Sequence, residues 1–410
     1  MIKYSSSFWI KIILFNLFIV ACLGVLMRFK IGFEFPYFDQ KNVQHAHSHF
    51  AFVGWVTQTL LVLIVSLIAP FLKAFQIKKY NILLWFNLIS AYGMLISFFI
   101  QGYGFFSIAF SAVSVAVIVV FTQLFFKHSA QFKQYYQAIK WFKVALGFAI
   151  FSALGTVALA YMMVTKNLHQ TPYLASVYFY LHFQYNGWFF FACIGLFTGL
   201  ANKFNVVIKN DKLIFGLLFW SCIPAYFLST LWANLPIWLY IIVVAAAITQ
   251  FVGWILLLKS VFYHLHLHSK FSNTIMFLIY FVAIAGFVKF TLQLGSTIPF
   301  VSTLAFGFRP IVIAYLHLVL LAFISILLLL YLFSTHFLSH AKSGIIALIC
   351  FAIGVFSNEF VLAIQGIASF SYTVIPYANS ILFAIALCML LASFSLFFIN
   401  FKNKNIKHLL

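Results

Sequence analysis

The chain has 410 residues, of which 65% are hydrophobic and 7% charged; its mean hydropathy is +1.10 and its formal charge +20. No water-soluble domain has this composition, so soluble enzymes and soluble binding modules are excluded. The positive charge does not describe a nucleic-acid surface, because the lysines sit in short segments between apolar runs and form no basic domain or stripe.

Twelve apolar runs follow one another, at residues 8–28, 49–72, 81–101, 104–126, 144–165, 174–200, 213–232, 236–258, 273–294, 310–334, 343–366 and 374–400. Each approaches the roughly 20 residues that cross a hydrocarbon core of about 30 Å at a rise of about 1.5 Å per residue. The alternation of a β-barrel is missing. The sequence therefore predicts an all-α polytopic membrane bundle of twelve transmembrane helices, with residues 1–410 forming one transmembrane domain in contact with the lipid bilayer. The first run meets Arg28 without a small-residue cleavage site and reads as a retained helix.

An even number of crossings puts both termini on one side, and charge says which. Eighteen of the 24 Lys and Arg residues flank one set of loops, against Arg28, Lys30, Lys41, Lys166 and Arg309 on the other, with Lys289 inside a run. The positive-inside rule makes the lysine-rich face, and both termini, cytoplasmic. The expected location is a bacterial inner (plasma) membrane. The five cysteines, Cys22, Cys193, Cys222, Cys350 and Cys388, lie in apolar runs with no CxxC or CxxCH spacing, and read as buried small hydrophobes.

Histidine is the informative residue type, since an unpaired polar group in hydrocarbon costs several kcal/mol. His45, His47 and His49 crowd the entrance of run two, at the end of an outer loop over residues 29–48; His182 lies about eight residues into run six and His317 about seven into run ten. Those three runs share a direction, so His49, His182 and His317 fall in one layer, in the outer half of the membrane, within roughly 10–15 Å of its boundary. Gly54-Trp55 follows His49 at the interval at which Gly187-Trp188 follows His182. A glycine there lets a flat macrocycle or another helix come close.

Twelve helices, histidines in the outer layer of runs two, six and ten, and cytoplasmic termini resemble the haem-copper oxidase subunit I superfamily. His47-Ser48-His49-Phe50-Ala51-Phe52-Val53-Gly54-Trp55 looks like the His-x-His-x(4)-Gly-Trp entrance of subunit I-like and NnrS-like membrane haem proteins, and His182 through Phe189 looks like the helix-six segment of C-type oxidases. The resemblance implies haem b with axial imidazoles from His49 and His317, and copper at His182. Two departures stand out. Run seven, over residues 213–232, has no histidine where the family places a copper-binding pair, and the family's high-spin haem ligand position carries Tyr315. An intact copper centre is not expected, and an oxidase-like oxidoreductase activity would have to work from a degenerate binuclear site.

On the residues themselves several assignments stay open. His45 and His49 share a face at i, i+4 while His47 points elsewhere, so His47 and His45 are alternative haem ligands, propionate partners, or companions of His182 around copper. His182 reads equally as a metal ligand, a distal group or a satisfied core histidine, with Tyr185 about one turn further on. Arg28 and Arg309 are placed to meet propionates or to snorkel. Lys289 and Glu359 each cost about 2.5–3.5 kcal/mol in lipid, which an ion pair between them, or a propionate on Lys289, would offset. His264, His266 and His268 form a weak cytoplasmic metal candidate at the inner end of run eight.

Three functions are thus compatible with the sequence. One is a membrane haem protein of respiratory electron transfer or oxygen and nitric-oxide chemistry, working with a redox partner or other membrane subunits. A non-catalytic haem or copper sensor or assembly factor is the second. A metal transporter with a histidine-lined path is the third.

Overall fold

The computed structural model describes residues 4–33, 35–204, 206–264 and 271–402. Among the described residues every regular element is a helix, and eleven helices are long and apolar enough to cross a membrane. We number the helices α1 (Ser6–Gly32), α2 (Gln40–Phe71), α3 (Ala74–Gln101), α4 (Phe105–Gln131), α5 (Tyr136–Val164), α6 (170–203), α7 (Asp211–Ala233), α8 (Ile237–His264), α9 (Asn273–Gly295), α10 (Pro299–Gly307), α11 (309–334), α12 (Lys342–Phe370) and α13 (Ala378–Lys402).

Run six is the one that is not among the eleven. Its helix α6 is unbroken, but Gln184 and Asn186 dilute its hydropathy at mid-length. α10 is a short helix that the apolar pattern does not anticipate. It starts on Pro299, whose missing N–H costs nothing in a first helical turn. Run two also starts earlier than the apolar pattern predicts. Asp39 accepts a hydrogen bond from the Asn42 backbone N–H at 2.9 Å and caps a helix that begins at Gln40. The histidine cluster therefore lies on the first turns of α2 and not at the end of a loop.

The chain divides into two compact units, one of residues 1–134, 328–364 and 374–410, the other of residues 135–327 and 365–373. In the first, α2 is the core: 94% of its most apolar stretch is buried, against 33% for α1 and 28% for α13. α1 packs along α13 through aromatic pairs, Phe15 with Phe397 at 5.2 Å and Phe18 with Phe394 at 5.4 Å between ring centroids. In the second unit α5 packs on α6, α7 on α8, and α8 on α9. Lys140 of α5 forms an ion pair with Asp211 at the first turn of α7.

The units share a local device. α2, α6 and α11 each pass from α-helix into a π-helical stretch, over Phe50–Thr57, Phe183–Phe189 and Leu318–Ser325. The last α-helical residue before each stretch is His49, His182 and His317, respectively. π-Helical turns are rare and concentrate at functional positions, because they displace carbonyls from the regular ladder. In α2 those carbonyls are met by amides: Asn16 of α1 donates to Gly54 O at 2.6 Å, and Asn87 of α3 to Val53 O at 3.3 Å.

Candidate functional site

His45 and His49 share a face, as their spacing requires, and that face turns to α3 and the turn after it. The His49 ring stacks on Phe98 with centroids 4.1 Å apart and planes at 14°, and its Nε2 lies 3.4 Å from the Tyr103 hydroxyl. His45 sits edge-on to Tyr103 at 4.7 Å. His47 faces α1 instead, where a Cβ built on Gly24 would stand 3.7 Å from its Cε1. Arg28 is one turn beyond Gly24 and shares its side of α1. One unit thus places His47, Gly24 and Arg28 close together at the α1–α2 contact.

The other unit places His182 and His317 in the same register, each just ahead of a π-helical stretch, but with different partners. His182 is 1% exposed. Its Nε2–H donates to the Cys222 carbonyl at 2.9 Å, and its Nδ1 accepts from the Asn186 amide at 3.1 Å. That carbonyl is available because α7 changes hand-over at Pro224: Tyr226 N–H turns back to Ile223 O at 3.2 Å in a 3₁₀ turn and leaves Cys222 O without its usual donor. Both imidazole nitrogens are committed, so His182 is a satisfied core histidine.

His317 is half-buried, and its Nδ1–H donates to its own helix at Ile313 O, 2.9 Å away. A carbonyl can only accept, so the proton is on Nδ1 and the lone pair on Nε2. This is the tautomer that metal-ligating histidines are held in by a second hydrogen bond.

Tyr185 and Tyr315 come together, with ring centroids 6.4 Å apart at 71°, where the π-helical stretches of α6 and α11 touch. His182 is turned away from that pair toward Phe183, Tyr226 and α7. The glycines that follow the histidines admit aromatic rings: a Cβ on Gly187 would meet Phe148 of α5 at 2.7 Å, and one on Gly54 would meet Phe50 at 2.6 Å.

Lys289 is 1% exposed and is engaged within its own helix, donating to Gln293 Oε1 at 2.8 Å with its ammonium 3.8 Å over the Phe290 ring. Glu359, the partner expected from the sequence, belongs to the other unit and accepts from Asn358 at 3.2 Å. Arg309 opens α11 as expected, but its side chain lies outside the described residues. So do the side chain of His264 and the whole of His266 and His268.

The donor sets test the two metals differently. Copper does not fit: His182 has no nitrogen left for it, α7 supplies no imidazole, and among the described residues no three His, Cys, Asp or Glu side chains gather as ligands. For haem, His317 has the Nδ1-protonated tautomer that an axial imidazole takes. No protein-family model matches the chain, and no curated protein matches it.

Proposed function

We propose that this chain is an integral-membrane haem b protein with twelve transmembrane helices and cytoplasmic termini, serving respiratory electron transfer or gas sensing in a bacterial plasma membrane. The count adds α6 to the eleven apolar helices, and the orientation rests on lysine distribution. The observation that carries the reading is the hydrogen bond from His317 Nδ1 to Ile313 O, which aims the basic nitrogen away from the helix as an axial ligand needs. In the other unit His47 and His49 are the candidate imidazoles, with Arg28 as a propionate partner. His49 is stacked on Phe98 and close to the Tyr103 hydroxyl, and His47 lies against Gly24 of α1.

A bound haem would supply one-electron chemistry between ferric and ferrous iron. The protein's own residues would hold the imidazole tautomer, exclude water with buried aromatic side chains, and neutralise propionate charge. The engagement of both His182 nitrogens favours electron transfer or sensing over oxygen reduction, because no imidazole is spared for a second metal.

The test is an absorption spectrum of purified protein, oxidised and dithionite-reduced, with iron and copper analysis. We expect a Soret band, b-type visible bands on reduction, iron near whole-number stoichiometry and no copper. Absence of a Soret band in protein made with ample haem would refute the proposal.

A further inference from the structure

In the second unit, α6, α8 and α9 bring together three polar side chains that lipid would reject. Asn186, Gln250 and Lys289 are 4%, 4% and 1% exposed. With Phe190, Phe191 and Phe290 they line a cavity offering about 10 Å³ to the centre of a water molecule. That is about the space one water needs.

The hydrogen-bond inventory around the cavity is unbalanced. Cys222 O can only accept, so His182 Nε2 carries the ring's proton and Nδ1 is an acceptor; Asn186 must then present its NH₂ to Nδ1. This fixes Asn186 Oδ1 on the other side, where it has no partner in the protein. Gln250 Oε1 has none either. The Lys289 amino group gives one hydrogen to Gln293, and it has further hydrogens to give. Two acceptors lacking donors and a donor with capacity to spare thus surround a space for one small molecule. Each buried polar group left unsatisfied costs about 1–3 kcal/mol.

We propose that this cavity is a binding site for a single structural water, which donates its two hydrogens to Asn186 Oδ1 and Gln250 Oε1 and accepts one from Lys289 Nζ. The complementarity selects water over other small species. An anion would face two carbonyl oxygens, a metal cation would face the lysine, and an apolar gas would leave every group unpaired. With the water in place, hydrogen bonds run without a break from the Cys222 carbonyl through His182, Asn186, the water and Lys289 to Gln293, tying α7, α6 and α9 together with Gln250 of α8. The site is independent of haem binding, and it accounts for a lysine in the membrane without a carboxylate beside it.

A map of the wild-type protein that resolves ordered water tests this directly. The expected result is one peak within hydrogen-bonding distance of all three side chains. An empty cavity, or Lys289 Nζ placed directly on Asn186 Oδ1, overturns it. A double-mutant cycle of Gln250→Leu and Lys289→Met gives an independent reading from unfolding midpoints in detergent. These side chains share no direct hydrogen bond, so a common water makes their two losses less than additive, whereas additive losses count against it. Should either variant fail to accumulate, the wild-type map decides.

Discussion

His182 and His317 stand at the same place in two helices of one unit, each closing an α-helical segment ahead of a π-helical one, and their rings are bonded differently. Four residues after His182 comes Asn186, whose amide captures Nδ1; four after His317 comes Leu321, which has nothing to give. α7 then offers His182 a carbonyl, whereas His317 bonds back to its own helix at Ile313. The His182 ring is bonded through both nitrogens. The His317 ring has its tautomer set by Ile313 O, with Nε2 as the basic nitrogen. The hydrogen bonds of a histidine in a membrane helix are thus set by the side chain one turn away and the carbonyls of the neighbouring helix, not by depth.

The largest expected effect separates the two residues outright. His317→Ala should lower haem affinity at least about tenfold, read by Soret titration per folded protein, since removal of a metal-site partner typically costs about 10–100-fold in affinity and loss of a ligand no less. His182→Ala should leave that affinity unchanged; haem loss from His182→Ala with the fold intact would collapse the distinction.

Next in size is the choice on α2. Of His47→Ala and His49→Ala, the first should lower haem content and the second should change it only modestly, because His49 is stacked on Phe98 beside Tyr103. The reverse order would assign the ligand to His49.

His182→Ala should instead act on stability. It leaves the Cys222 carbonyl and the Asn186 amide unpaired, a loss on the order of 1–3 kcal/mol read from detergent unfolding. Interhelical hydrogen bonds in membranes average nearer about 0.6 kcal/mol, so the lower part of that range is the better guide. An unchanged midpoint would mean that His182 is not the core residue described.

The smallest effect on haem is expected from Gly187→Ala. The added methyl would press on Phe148 Cβ of α5, which ring rotation does not move away, at a cost of about 1–3 kcal/mol. Haem content should not respond, and a spectral change would place α6 closer to the cofactor than His182 implies.

Much of the fold could be read from the chain. The apolar runs became helices because hydropathy and helix length are local and nearly additive, and the misplaced boundaries are themselves explicable. The Asp39 cap carries α2 back across a polar stretch, and Gln184 and Asn186 lower the hydropathy of a helix that is nonetheless continuous. The site was legible in part. Asn186 one turn after His182 and Gln293 one turn after Lys289 are visible as i, i+4 pairs, and the recurrence of Gly-Trp after histidine marks two of the three π-helical turns. The signal for the third is weaker, since Leu318–Ser325 carries no Gly-Trp.

By itself the sequence determined a membrane protein, its helices and the histidines that mark α2, α6 and α11, because each follows from residues near one another along the chain. Tertiary structure alone decided that the Cys222 carbonyl, forty positions from His182, accepts a hydrogen bond from its Nε2–H, that Gly24 faces His47, and that Tyr185 meets Tyr315. Hydrogen-bond partners and close approaches are supplied by other helices, and a ring nitrogen becomes a ligand or a core donor only when those neighbours are in place.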